Sequence, residues 1–176
     1  MTAAVRLSVP VRKTVLLLHI LSGVGWMGLD IGLFSMVVTA LTTSDGRLAA
    51  SCFVAIGVVV PVGVGLLSLL MVGSGVALGL GTHWRLLKHW WVLTKLVIGL
   101  AMTVLVFVAL IPGVAQASQL ATFGATGDVV RASLGQVGTS LLFPPVVSFS
   151  LLAFSAVLSV FKPWGRIVRL APRRRP

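Results

Sequence analysis

Glutamate, asparagine and tyrosine are missing from this 176-residue chain, which holds one cysteine and three acidic side chains. Without asparagine there is no N-glycosylation acceptor, and without glutamate or tyrosine two of the usual general acids and bases are gone. Asp30, Asp45 and Asp128 are the only carboxylate side chains. Cys52 has no partner for an intramolecular disulfide and cannot build a multi-thiolate metal site, so it reads as a small buried hydrophobe. Charge is also scarce. Charged residues make up 10% of the chain, against about a quarter in soluble domains, while 57% of residues are hydrophobic and the mean hydropathy is +1.10. This composition argues against a water-soluble fold.

The charges that are present lie in clusters. Residues 48 to 84, 96 to 127 and 132 to 161 carry none, and residues 14 to 44 carry only Asp30. Each interval exceeds the roughly 20 residues needed to cross the hydrocarbon core of a bilayer. The pattern predicts an all-α, polytopic membrane four-helix bundle forming a single domain over 1–176, with helices at about 14–41, 49–80, 89–112 and 138–161 and a basic tail at 162–176. Pro61 removes a backbone donor inside the second helix and predicts a bend. The connection 113–138 is longer and more polar than the others and is compatible with a short surface helix. Arg6, Arg12 and Lys13 precede the first apolar run as they would in a signal peptide, but the run continues to Leu41 and no small-residue cleavage site closes it, so it reads as a retained helix.

Orientation follows from the cations. Arg6, Arg12 and Lys13, Arg85 and Lys88, and the six Lys and Arg residues after Phe161 place eleven of the fourteen on one side of the predicted membrane. The positive-inside rule then predicts both termini in the cytoplasm of a bacterial plasma-membrane protein. Trp84, Trp90, Trp91 and Trp164 fall at the same ends, where indoles favour the headgroup level. The formal net charge of +11 is thus accounted for by topology and by anionic lipid headgroups at the cytoplasmic face, with no nucleic-acid partner.

Glycine spacing offers packing surfaces. Gly28 and Gly32, and Gly75 and Gly79, form GxxxG pairs that let helices approach closely, within the bundle, in a homo-oligomer or against a membrane-complex partner. Gly23, Gly25 and Gly28 spell GxGxxG, but inside a span, not at a strand-to-helix turn, so the nucleotide reading is set aside.

Polar residues inside a membrane are costly, which singles out His19, Asp30 and Lys95. His19, Gly23, Trp26 and Asp30 share nearly one helical stripe. At ~1.5 Å per residue, His19 lies about 9 Å beyond Lys13 and Lys95 about 6 to 7 Å beyond Trp91, both in the half of the bilayer nearest the termini. His83 and His89 border the same side, and Asp30 falls towards the other. Imidazole is a good axial ligand for haem iron and a nearby cation suits a propionate, so His19, Lys95 and His89 are candidate cofactor-binding residues for haem b. Copper is the alternative ion, with His19 joined by Met36, Met71 and Met102. Against these stand plain structural roles: an interhelical hydrogen bond for His19, snorkelling for Lys95, an interfacial acid paired with Arg47 or Arg131 for Asp30, and packing for the methionines.

The segments KTVLLLHILSGVGWMG (13–28), LGTHWRLLKHWWVLTKL (80–96) and LSVFKPWG (158–165) resemble an uncharacterised bacterial family of predicted four-helix integral membrane proteins, a domain of unknown function. The resemblance implies the architecture and no activity. His19 and the WVLTK segment carrying Lys95 are also similar in placement to the copper-resistance D-type proteins and the haem-binding membrane protoporphyrinogen oxidase, where a first-helix His and a third-helix Lys are functional. The surrounding sequence departs from both, so no enzymatic activity carries over. Three expectations follow: an accessory, non-catalytic membrane protein holding haem b or serving redox chemistry, a copper or small-solute transport component in which Asp30 matters, or a structural subunit of a membrane complex.

Overall fold

The computed structural model describes residues 7–81, 90–121 and 126–161. These form five helices: α1 (Val9–Thr42), α2 (Gly46–Gly81), α3 (Trp90–Leu120), the short α4 (Gly127–Leu134) and α5 (Gln136–Phe161). The four other than α4 are long and apolar enough to span a membrane. The fold class is as expected, an all-α four-helix membrane bundle. Its outer surface is apolar, as at Val62, Val108 and Val160, while the interior gathers Trp26, Phe53, Ile56 and Val64. In lipid such helices satisfy most of their backbone polar groups internally.

Local chemistry sets the helix ends. Pro10 lies in the first turn of α1, where its missing N–H leaves no bond unmade. Asp45 caps α2, its carboxylate accepting from the backbone N–H of Arg47 at 2.8 Å and of Leu48 at 3.2 Å, a contribution of about 1 kcal/mol. The boundaries at about 14 and 49 extend outwards in the structure because Ser8 and Asp45, not the edge of the hydrophobic run, start these helices.

Pro61 does not break α2. Its expected bend takes the form of a π turn at Val60–Val64. A second π turn at Val106–Leu110 precedes Pro112 in α3. A proline ring crowds the carbonyl four residues back, and widening one turn lets the helix continue past it. Hence α3 does not end near Pro112, as the sequence suggests, but runs on to Leu120. Much of the presumed loop 113–138 is therefore helical, and the short helix expected there is α4. The start of α3 near His89, and the tail 162–176, lie outside the described residues.

At the end of the bundle distal to the termini, α4 is tied to the α1–α2 turn. The Gly127 N–H donates to the Ser44 carbonyl at 2.8 Å, Thr126 pairs with Asp45 as an isolated antiparallel bridge, and Arg131 Nη1 donates to the Thr43 carbonyl at 2.9 Å. Arg131 also pairs with Asp128. Val130 and Leu134 bury themselves in the cluster that holds Ala49, Ala50 and Phe53. Gly135, at φ 52°, turns the chain from α4 into α5 through a conformation that favours glycine.

Gly127 lies so close to α1 that an added Cβ would overlap the Thr43 carbonyl oxygen, a backbone atom that no rotamer change can move. Gly127→Ala is expected to destabilise the protein by about 1–3 kcal/mol. Gly73→Ala, where nothing lies within 4 Å, serves as the control. Thermal unfolding in detergent should show a lowered Tm for the first alone, and equal values would refute this account of the clamp.

Candidate functional site

Two polar layers cross the bundle. The one nearer the termini starts from His19 on α1, whose Nδ1 lies 2.9 Å from the Met71 carbonyl and 3.0 Å from Ser74 Oγ on α2. The Ser74 hydroxyl donates to the Leu70 carbonyl at 2.6 Å, so its oxygen faces His19 as an acceptor. A carbonyl can only accept. Both neighbours therefore require Nδ1 to carry the proton, which in the neutral ring leaves a lone pair on Nε2 that no group among the described residues takes up. Gly75 makes the approach feasible: a Cβ there would sit 3.2 Å from His19 Cε1.

Lys95 on α3 belongs to the same layer. Its ammonium donates to Ser159 Oγ on α5, which in turn donates to the Ser155 carbonyl at 3.0 Å, and it lies within electrostatic range of His19. His19 and Lys95 thus belong to one layer, with Ser74 and Ser159 completing it, and all four spans contribute. His83 and His89 lie outside the described residues.

The donor set meets one requirement of a haem site and the packing opposes another. A histidine whose Nδ1–H is held by a backbone carbonyl presents Nε2 to a metal in a fixed orientation, and Lys95 would suit a propionate. The glycine faces beside it, however, are already filled. Met71 Sδ lies 3.8 Å from where a Gly23 Cβ would be, Leu67 Cδ1 lies 3.4 Å from the same point on Gly25, and Met71 Cε 3.5 Å from that on Gly99. A porphyrin does not fit there in this packing. The copper set is dispersed: Met102 lines the other layer, Met36 packs at the core's margin, and no three His, Cys, Asp or Glu residues gather among the described residues.

The second layer surrounds Asp30, only 3% exposed. Ser148 Oγ on α5 donates to Asp30 Oδ2 at 2.7 Å, and the Trp26 indole lies beside the carboxyl. The anticipated partners do not reach it. Arg131 is engaged by Asp128 and the Thr43 carbonyl, and the Arg47 side chain forms no ion pair among the described residues. Asp30 instead faces a cavity of about 420 Å³ bounded by α1, α2, α3 and α5. Its walls from α1 and α2 are closed, with Trp26 at 1% and Val60 at 0% exposure, whereas Leu105 on α3 and Phe143 and Val147 on α5 are 60%, 70% and 52% exposed. The mouth therefore lies between α3 and α5, facing laterally towards lipid.

Sequence reasoning found His19, Lys95 and Asp30 and missed Ser148, Ser159 and the cavity. A signal was present: Ser148, Ser155 and Ser159 share a stripe on α5, and Ser148 and Ser159 are eleven residues apart, as are His19 and Asp30 on the oppositely running α1. No family model, curated protein or solved structure matches the chain.

The tautomer of His19 is directly measurable. Imidazole ¹⁵N NMR of the protein in micelles at pH 8 is expected to show a protonated Nδ1 and a bare Nε2, with the order lost in Gly75→Val, which pushes the ring off α2. A protonated Nε2 in the unaltered protein would contradict the assignment.

Proposed function

We propose that this chain is a multi-pass plasma-membrane protein, with both termini in the cytoplasm, that takes a small lipophilic solute from the bilayer into the cavity around Asp30. The cavity itself carries the reading. It is largely apolar, holds one carboxyl and opens between α3 and α5, the arrangement expected of a site filled from the membrane. The placement of the termini rests on the eleven cations that border the terminal ends of the spans.

A photoactivatable diazirine hydrocarbon in proteoliposomes tests entry. It is expected to label Leu33 and Met102, lining side chains that are 5% exposed each and so almost closed to lipid from outside. Ala109→Trp, placed at the mouth, should abolish that labelling and leave Val62 and Val108 on the outer surface labelled. Labelling of the outer surface alone in the unaltered protein would refute the reading.

A second reading, an accessory protein that holds haem b, is favoured by the open lone pair on His19. It requires Met71 to vacate the space beside Gly23 and Gly99. The group would supply one-electron chemistry. A Soret band after haem-replete expression, lost in His19→Ala, is its expected signature, and a colourless protein would dispose of it.

A further inference from the structure

The polar inventory of the cavity specifies what it accepts. The Ser148 hydroxyl proton is committed to Asp30 and that of Ser140 to the Val137 carbonyl at 2.8 Å. With Asp30 ionised, the lining presents acceptors: its carboxylate oxygens and the remaining lone pairs of Ser140 and Ser148. A ligand that only accepts, such as a quinone or ketone, finds no complement in an ionised Asp30. A ligand that donates does.

Charge narrows the class. Asp30 has no cation partner among the described residues. Lys95 is held in the other layer by Ser159, and Arg131 by Asp128 and the Thr43 carbonyl. The two layers are separated by eleven residues of α1, about 16 Å at the α-helical rise. A buried carboxylate is strongly disfavoured without a counter-charge, and in hydrocarbon the alternative of water is absent. An entering cation supplies what the bundle lacks.

We propose that the solute is a lipophilic amine, its ammonium group paired with Asp30 and Ser148 and its hydrocarbon body packed against Ile56, Val60 and Val106. The proposal rests on the reading of the cavity as a solute site. The ammonium group belongs either to a free amphiphilic amine or to the ethanolamine headgroup of a lipid, which present the same chemistry to Asp30.

Matched cage compounds test this: adamantan-1-amine, adamantan-1-ol and 1-methyladamantane share one hydrocarbon body and differ in one group. Binding is measured by calorimetry to the full chain in vesicles of phosphatidylcholine and phosphatidylglycerol. The amine is expected to bind at least about tenfold more tightly than the alcohol, with the preference lost in Asp30→Asn, which keeps an acceptor for Ser148 and removes the charge. If alcohol or hydrocarbon binds as well as amine, and Ala109→Trp blocks all three, the amine proposal falls and the cavity reading stands. If none binds, both fall. Should Asp30→Asn fail to fold, the ranking of the three compounds on the unaltered protein still decides. Phosphatidylethanolamine vesicles then identify the source. Weakened amine binding there supports the headgroup as the natural occupant, and unchanged binding supports a free amine.

Discussion

The hydrogen bond from Ser148 to Asp30 sets the terms for the rest of this bundle. A carboxyl inside a membrane must be satisfied by its neighbours, because hydrocarbon offers it nothing. That requirement fixes α5 against α1 at one level. The eleven-residue spacing common to both helices then brings the levels of His19 and Ser159 together without further adjustment. Lys95 reaches Ser159 from α3, and His19 reaches Ser74 on α2. Register in a coiled coil can be set by a single buried polar contact. Here two layers set it, and each would be left with unpaired groups if a helix slid by one turn.

Much of the fold was legible because the bilayer imposes a simple rule. Long uncharged intervals must be spans, and the four found by that rule are the four in the structure. The rule reads hydrophobicity, not backbone chemistry, and this explains where it misplaced a boundary. Pro112 looked like an end because proline usually terminates a helix. The π turn at Val106–Leu110 carries α3 past it by widening one turn, which a rule based on hydrophobicity does not contain. The start of α2 was misjudged for a related reason: Asp45, read as loop, is the cap.

The site was half legible. His19, Asp30 and Lys95 stood out because charge and imidazole are rare in this composition. Serine did not, because it is common here and usually satisfies itself on its own helix, as Ser22, Ser68 and Ser150 do. Ser148 and Ser159 differ from these only in what faces them, which is a property of the assembled bundle. Arg131 misled for the opposite reason. Opposite charge suggested a pairing with Asp30, yet its guanidinium is used at the α1–α2 turn, where it satisfies the exposed carbonyl of Thr43.

The position of the cavity follows from the same contrast between the two halves of the bundle. In the half nearer the termini, small residues let the helices close. Gly75 admits His19, and the side chains of Met71 and Leu67 occupy the faces of Gly23, Gly25 and Gly99. In the distal half, three spans depart from regular α-helix: α2 at Pro61 and its π turn, α3 at the π turn before Pro112, and α5 at the turn before Pro144 and Pro145. Val60, Val106, Leu110, Pro144 and Pro145 all line the cavity. Widened turns displace side chains from ridges-into-grooves registry, so the space between these helices cannot be filled by neighbours as it is one layer below. A straight α-helix in each span would close that space around Asp30 and leave the carboxyl without access to any partner beyond Ser148 and Trp26. Pro144 and Pro145 themselves form part of the cavity wall, beside the Ser148 that holds Asp30.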